Sequence, residues 1–346
     1  MGGESVRCEY HPLVKAIVRA LRRRCGVGPG AKLLVAVSGG SDSVALLRAL
    51  AVVAPRRTWR LDLVVGHVRH NLRPTEEGEQ DVQLVSGIAD ELGLPLLRAD
   101  LDISTAGDNV EAVARHQRYE ALSDMAESCG ASFVATGHHG DDQLETMLMR
   151  LLRGASVKGM AGIAWRRPLT APTLALIRPM LATDRATVRS FQKLIGQPWR
   201  EDRTNADLSR WRAKLRHDVL PVLRQIRPDA ARKAVQLSEH MTEAWHVLAE
   251  AIDDAVDSVD IDDTAAVIDR AEARSMPRVV LMGVLRRLLS DAGIAEDKLG
   301  RRSLGPIIRA IRDARGGCRT FDLGAGGKVT VTRVEVRIES LPSDLL

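Results

Sequence analysis

The sequence predicts an α/β protein: a doubly wound, mainly parallel sheet with helices on both faces, followed by a smaller helical α+β domain. Three observations carry that prediction. Short, continuously apolar runs alternate with helix-period segments over the first two hundred residues, the pattern of repeated βα units whose strands are buried on both faces. Strand-like runs cease after about residue 221 and long helical stretches follow. The tail, GGCRTFDLGAGGKVTVTRVEVRIES, is rich in glycine and β-branched residues, which favours a small sheet.

Residues 10–24 are amphipathic and predict a leading helix, with a loop to residue 30. Arg and His within its apolar part argue against a secretory signal. LLVAVS (33–38) predicts the first strand and SDSVALLRALAVV a helix after it. WRLDLVVGHV (59–68) is the second strand, and TEEGEQDVQLVSGIADELG an acidic helix. LPLLRADL (94–101) is the third, followed by DNVEAVARHQRYEALSDMAESCG, which Asp108 or Asn109 can cap. ASFVATGHH (131–139) is the fourth, with a helix DDQLETMLMRLLRG that Gly154 stops. TLALIRPM (173–180) supplies a fifth. Beyond residue 221, helices are expected over 229–255, 265–291 and 301–315 with no intervening strand. In the tail, apolar alternation runs Val329, Val331, then shifts phase to Val334, Val336, Ile338. That slip at Thr332-Arg333 predicts a tight turn or a bulge.

Composition narrows the class. A chain of 346 residues with 45% hydrophobic content supports two domains with real cores, and no apolar run approaches the ~20 residues that span a bilayer. Cys8, Cys25, Cys129 and Cys318 are scattered with no C-x-x-C pair, which argues against a zinc ribbon, an iron–sulfur site or a disulfide framework. A reducing, cytoplasmic address is expected. The formal charge is +5, yet residues 184–233 alone hold ten Arg and three Lys against six acids. A basic segment beside a neutral half points to a polyanionic partner.

Chemistry is concentrated in four stretches. After the first strand come Ser38, Gly39, Gly40, Ser41, Asp42 and Ser43. Two glycines let backbone N–H groups turn toward an anion, three hydroxyls add donors, and the helix start adds its partial positive charge. The G-x-x-x-x-G-K-[ST] pattern is absent, so this is a different phosphate nest. A carboxylate inside it, Asp42, makes sense with a divalent cation between it and the phosphates. The second stretch, TGHHGDDQLETMLMRLLRG, places His138, His139, Asp141 and Asp142 at the end of the fourth strand. Asp142 and Glu145 are one turn apart and share a helix face. Alone, H-H-x-D-D also fits a two-metal hydrolase; beside a nucleotide loop it suits substrate and Mg²⁺. The third is ARHQRYEAL, with Arg115 and Arg118 one turn apart, and the fourth QPWREDRTNADLSRWRAKLRHDVLPVL. Its Trp199 and Trp211 are open to two readings, core or base stacking.

V-S-G-G-S-D-S is similar to the pyrophosphate loop of the ATP pyrophosphatases, which cleave ATP between the α and β phosphates. With HVRHNLR (67–73), NVEAVARHQRYEAL, TGHHGDDQLETMLMRLLRG, IRPML and REDRTNADLSRWRAKLRHDVLP, the chain resembles the tRNA(Ile)-lysidine synthetase family over roughly residues 31–222. Arg69 stands in a usual Asn place and Ala213 replaces a common Asn; the last 120 residues match loosely, through FDLGAGGKVTV. The resemblance implies a catalytic nucleotide-binding domain over 1–221 and a C-terminal domain over 222–346 with a role in binding tRNA. It implies ATP, Mg²⁺ and free lysine as reactants, and as partner a tRNA(Ile) with a CAU anticodon whose wobble cytidine becomes lysidine. It assigns Ser38, Gly39, Gly40, Ser41, Asp42, Ser43 and His67 to ATP, with Asp42 holding Mg²⁺. Asp42, Arg118, Asp142 and Glu145 become the catalytic set, the two acids contacting lysine's amino groups. Arg73, Arg115, His138, His139, Arg212 and Arg216 contact tRNA or substrate. Three readings outside the family remain open: a tRNA thiolase of the same superfamily, an ATP-dependent amide-forming synthetase, and a non-catalytic nucleotide- or RNA-binding module. The oligomeric state, homodimer included, is open too.

Overall fold

The computed structural model describes residues 8–71, 75–103, 110–170, 173–197, 199, 211–261, 265–314, 317–324 and 327–339. Two compact units result, Met1–Met241 and Thr242–Leu346.

The first unit is built on six strands: β1 (Lys32–Ala36), β2 (Asp62–His70), β3 (Leu96–Leu101), β4 (Phe133–Ala135), β5 (Arg166–Pro168) and β6 (Ala175–Ile177), in the spatial order β3-β2-β1-β4-β6-β5. All neighbours are parallel except β5, which runs antiparallel to β6 at the edge. Residue alternation splits the core into two layers, as period-2 side chains require. Leu33, Val35, Leu63, Val65, Phe133 and Ile177 face one layer with the helices α1 (Pro12–Arg23) and α2 (Ser41–Val53). Leu34, Val64, Val134 and Leu176 face the other, with Leu122, Met125 and Ala126 of the helix Val110–Ser128. The doubly wound sheet is therefore as expected, and its strand order reverses direction between β1 and β4. In such sheets the crevice beyond the carboxyl ends of the strands at that switch is where ligands bind.

The first unit extends past the expected boundary at residue 221 because the chain beyond it packs inward. Arg224 reaches the buried Asp141, and Glu239 takes the Trp165 Nε1–H at 3.2 Å and Arg24 Nη2 at 2.9 Å.

The second unit carries β7 (Asp260–Ile261), β8 (Ala265–Asp269), β9 (Arg319–Asp322) and two further strands, β10 and β11, in an antiparallel sheet of order β7-β8-β11-β10-β9. β10 (Lys328–Val331) and β11 (Glu335–Glu339) form a hairpin, and the phase slip at Thr332-Arg333 is its tight turn, closed by Thr332 N–H on the Glu335 carbonyl at 2.8 Å. Val329, Val331, Val336 and Ile338 pack against Leu281, Val284 and Leu285 from one helix and Ile307, Ile308 and Ile311 from another. One expectation is corrected: 265–291 is not a single helix. Ala265–Asp269 is a strand paired with β11, and helices occupy Arg270–Ser275 and Arg278–Asp291. Asp269 caps the first of these through the Glu272 N–H at 2.9 Å, and Pro277 separates the two.

Among the described residues, no helix is long and apolar enough to cross a membrane.

Candidate active site

β1 ends against the loop Ser38–Ser43. Gly39 has φ +86°, and a Cβ there would lie 3.2 Å from Asp81 Oδ1, so both backbone and space require glycine. Ser43 folds the loop on itself: its Oγ donates to the Gly40 carbonyl at 2.9 Å and accepts the Ser38 N–H at 3.1 Å. Gln192 Nε2 donates to the Ser41 carbonyl at 2.6 Å. Gly40 is the N-cap residue of α2 and supplies no side-chain cap, which leaves the helix start open toward an anion.

The turn after β4 lies directly on this loop. A Cβ at Gly137 would fall 2.9 Å from the Asp42 carbonyl carbon and 3.0 Å from Ser43 N. That closeness places His139, N-cap of the helix Gly140–Arg153 that follows, between the loop and its acids. His139 Nε2 is 3.4 Å from Asp42 Oδ2, and Nδ1 is 3.4 Å from Asp142 Oδ2 and 3.8 Å from Asp141 Oδ2. Burial opposes its charge, but Asp142, Asp42 and Asp141 push its pKa up to about 9. His139 is therefore an imidazolium at neutral pH, and it holds both Asp42 and Asp142 below the usual carboxylate range against the effect of their own burial. His138 goes the other way. Desolvation pushes it down to about 4, Asp142 opposing and Arg178, Arg115 and Arg212 assisting. Its Nδ1 meets Thr136 Oγ1 at 3.0 Å.

The basic segment supplies the far wall. Trp211–Lys214, a π-helical turn at Leu215–Val219 and Leu220–Ile226 run on as one helical stretch. Arg216 Nε donates to Glu145 Oε1 at 2.7 Å and its Nη2 to Oε2 at 3.0 Å; Arg212 Nε adds 3.2 Å to Oε2. Arg216 Nη2 also lies 3.5 Å from Asp142 Oδ1. Glu145 is 1% exposed, so two guanidiniums neutralise a carboxylate with almost no water. Arg224 Nη2 meets Asp141 Oδ1 at 2.5 Å, and Asp141 Oδ2 accepts the Arg185 N–H at 2.7 Å.

The remaining expected residues fall in three places. His67 is 3% exposed; its Nδ1 donates to the Val37 carbonyl at 2.7 Å, and Nε2 is buried with no hydrogen-bond partner. Burial lowers its pKa, so Nε2 is an acceptor facing inward. Arg115 packs over the Tyr119 ring, 5.1 Å from its centroid, and Arg118 is exposed one turn on. Arg73 lies outside the described residues, as does 200–210 with the T-N-x-D motif. Trp211 is 67% exposed, which removes the core reading for it. Sequence reasoning did not single out Tyr119, Arg167, Arg178 or Gln192. Arg178 lay within a noted motif at the end of a strand, where a buried charge was the available signal. Among the described residues, no group of three or more His, Cys, Asp or Glu could hold a metal ion unaided.

Comparison with known proteins adds the following. The PP-loop domain family matches residues 14–223. A tRNA(Ile)-lysidine synthase from Thermobifida fusca is 34% identical over 312 residues, covering 87% of this chain and 89% of its own length. Those from Geobacillus kaustophilus and Geobacter sulfurreducens are 35% and 34% identical, over 79% and 69% of this chain. The chain spans only 59% and 50% of their lengths. Among solved structures, the U34-tRNA thiolase NcsA from Methanococcus maripaludis with its 4Fe-4S cluster is similar in fold, with a TM-score of 0.55 at 18% identity. The match covers 67% of this chain and 79% of that one.

Proposed function

The chain belongs to the tRNA(Ile)-lysidine synthase family of PP-loop proteins, and from that premise we propose that it converts a tRNA wobble cytidine to lysidine. The cytidine O2 of a tRNA(Ile) with a CAU anticodon attacks the α-phosphorus of ATP, and pyrophosphate leaves. The ε-amine of free L-lysine then attacks C2, its proton is lost, and AMP departs with O2.

One observation carries the reading: His139 stands 3.4 Å from both Asp42 and Asp142. The phosphate loop and the acidic helix are thus one site, as a reaction joining a nucleotide to an amine requires. Loop N–H groups and hydroxyls suit the departing pyrophosphate, where negative charge builds. Asp142 Oδ1, 3.5 Å from Arg216, is the most weakly held oxygen of the Asp142–Glu145 pair. It is the natural seat for an amine. Glu145 meets substrate only if an arginine yields. Arg212 and Arg216 then answer phosphate as the carboxylates turn to the amine.

Mg²⁺ fits the loop as a guest of the nucleotide. Asp42 has one oxygen accepting from Ser41 Oγ at 3.2 Å and the other beside His139, and its side chain is a third exposed. Mg²⁺ commonly takes one or two carboxylates plus phosphate oxygens, and Asp42 would hold it. When bound it neutralises phosphate charge.

The thiolase alternative draws no support from the cysteines. Burial pushes the Cys25 thiol up to about 12, far from a reactive thiolate. Exposed Arg301, Arg302 and Arg309 in the second unit suit phosphate contacts with the tRNA.

Incubation with ATP, Mg²⁺, labelled lysine and the CAU-anticodon tRNA(Ile) tests the proposal. Label in the tRNA with release of AMP and pyrophosphate is expected. Pyrophosphate release without label would send the adenylate to another acceptor and end the lysidine reading.

A further inference from the structure

Near His138, three guanidiniums converge on one phenol. Arg115 lies 5.1 Å and Arg167 4.7 Å from the Tyr119 ring centroid, and Arg178 interacts with the same hydroxyl. Arg178 is 3% exposed; its Nη1 donates to the Ala164 carbonyl at 2.6 Å, and its Nε is buried with no partner. Among the described residues no carboxylate pairs with Arg115, Arg167 or Arg178. Burying a guanidinium without a counter-ion is costly, and like charges beside it raise the cost. Arg212, Arg216 and Arg224 on the acidic side, in contrast, have carboxylate partners.

The two clusters meet at one residue. Thr136, whose Oγ1 meets His138 Nδ1 at 3.0 Å, donates its N–H to the carbonyl of Ile177, the neighbour of Arg178, and the charges of Asp142, Arg178, Arg115 and Arg212 all act on that ring. A ligand beside it would meet both carboxylate oxygens and guanidiniums, the complement of a zwitterion.

We propose that Arg115, Arg167 and Arg178, set around Tyr119, form a carboxylate subsite that takes the α-carboxylate of the amino-acid substrate while Asp142 takes an amino group. The proposal rests on the activity put forward above. An RNA phosphodiester offers the same anionic oxygens, but it brings no cation for Asp142.

The test compares L-lysine with lysinamide, which keeps both amines and lacks the carboxylate. Wild-type protein should bind L-lysine more tightly by about 10- to 100-fold, the usual size of charge-assisted hydrogen bonding. Arg167→Gln and Arg115→Gln, each at a site with some solvent access, should cut that preference severalfold or more while lysinamide binding stays the same. Melting temperature establishes that each variant is folded, and Arg178→Gln is added if it folds. Retained preference for L-lysine in the folded variants would overturn the subsite. Weaker tRNA binding with a shallower salt dependence, and intact lysine preference, would give the cluster to an RNA phosphate instead. No lysine binding by wild-type protein would overturn the parent activity, an outcome distinct from both.

Discussion

Gly137→Ala probes the feature on which the site depends, the approach of the β4 turn to the phosphate loop. The added Cβ would sit 2.9 Å from the Asp42 carbonyl carbon and 3.0 Å from both the Asp42 oxygen and Ser43 N, whereas ordinary contact begins near 3.4 Å. All three are backbone atoms in the first turn of α2, so no side-chain rotation relieves the clash. Turn and loop must part by about half an ångström. Overpacking of this kind costs about 1–3 kcal/mol. Its larger effect falls on geometry: His139 would move away from Asp42. Since a misplacement of ~1 Å can cost ~10²-fold in rate, half that shift should cost on the order of tenfold. Gly130→Ala is the control. Its φ is +70° with nothing within 4 Å of the new Cβ, so it should cost ~1 kcal/mol by backbone strain alone. Thermal melting should show both variants destabilised. Initial rates of lysine incorporation, taken below both melting temperatures, should fall only for Gly137→Ala. Wild-type rates in that variant would refute the claim that the close approach sets the site.

Asp42→Asn should lower ATP–pyrophosphate exchange by about 10²-fold or more, the size of losing a charge-stabilising group, with tRNA binding by filter assay unchanged; loss of both would count against its role at the nucleotide. Glu145→Gln leaves Arg212 and Arg216 without their shared anion and should destabilise the fold by on the order of 1–3 kcal/mol, less than a fully buried pair since both arginines keep some water. Hydrogen exchange should rise across 211–226 before 12–23, and uniform change would contradict the assignment. The paired histidines set a pH dependence: His139 is raised to about 9, so its contribution is complete below 6.5 and fades as pH climbs toward 9. His138, lowered to about 4, resists protonation in the folded state, so stability falls as pH drops from 6.5 toward 4. Urea midpoints should peak near pH 6.5, and His139→Gln should flatten the alkaline limb only.

What the sequence reveals depends on how local the cause is. The helix at 41–53 and the strands flanking it have expected and observed bounds within a few residues, because burial on both faces leaves continuous apolar runs. Ala265–Asp269 misled, since AAVID satisfies a helix as easily as a strand. Its partner is β11, with Ile338 opposite Ala266, and pairing across that separation outweighs local propensity. β5 is three residues at an edge, too short to leave a period. The phosphate loop is contiguous and therefore legible. His138 and His139 look identical in sequence, yet one is neutral and one charged, because only the fold decides which ring faces the acids. Arg115, Arg167 and Arg178 come from a helix, an edge strand and a strand end, so no spacing announces them.

The basic segment shows why a charge count is a poor map of an RNA footprint. Its Arg212, Arg216 and Arg224 are spent on Glu145, Asp142 and Asp141, and Arg227 and Arg232 share Asp229. Arg189, Lys193 and Lys214 are exposed and, among the described residues, have no carboxylate partner. Only cations free to neutralise phosphates release counterions, each contributing about 0.7–0.9 to the salt slope. Replacing Arg189, Lys193 and Lys214 by Gln should thus flatten the slope of log K against log salt by about 2–3. Neutralising Arg212 or Arg216 should change it far less, because each already has its counter-ion in the protein. If the triple variant keeps the wild-type slope, these three cations do not face the tRNA and its phosphates are met elsewhere on the chain.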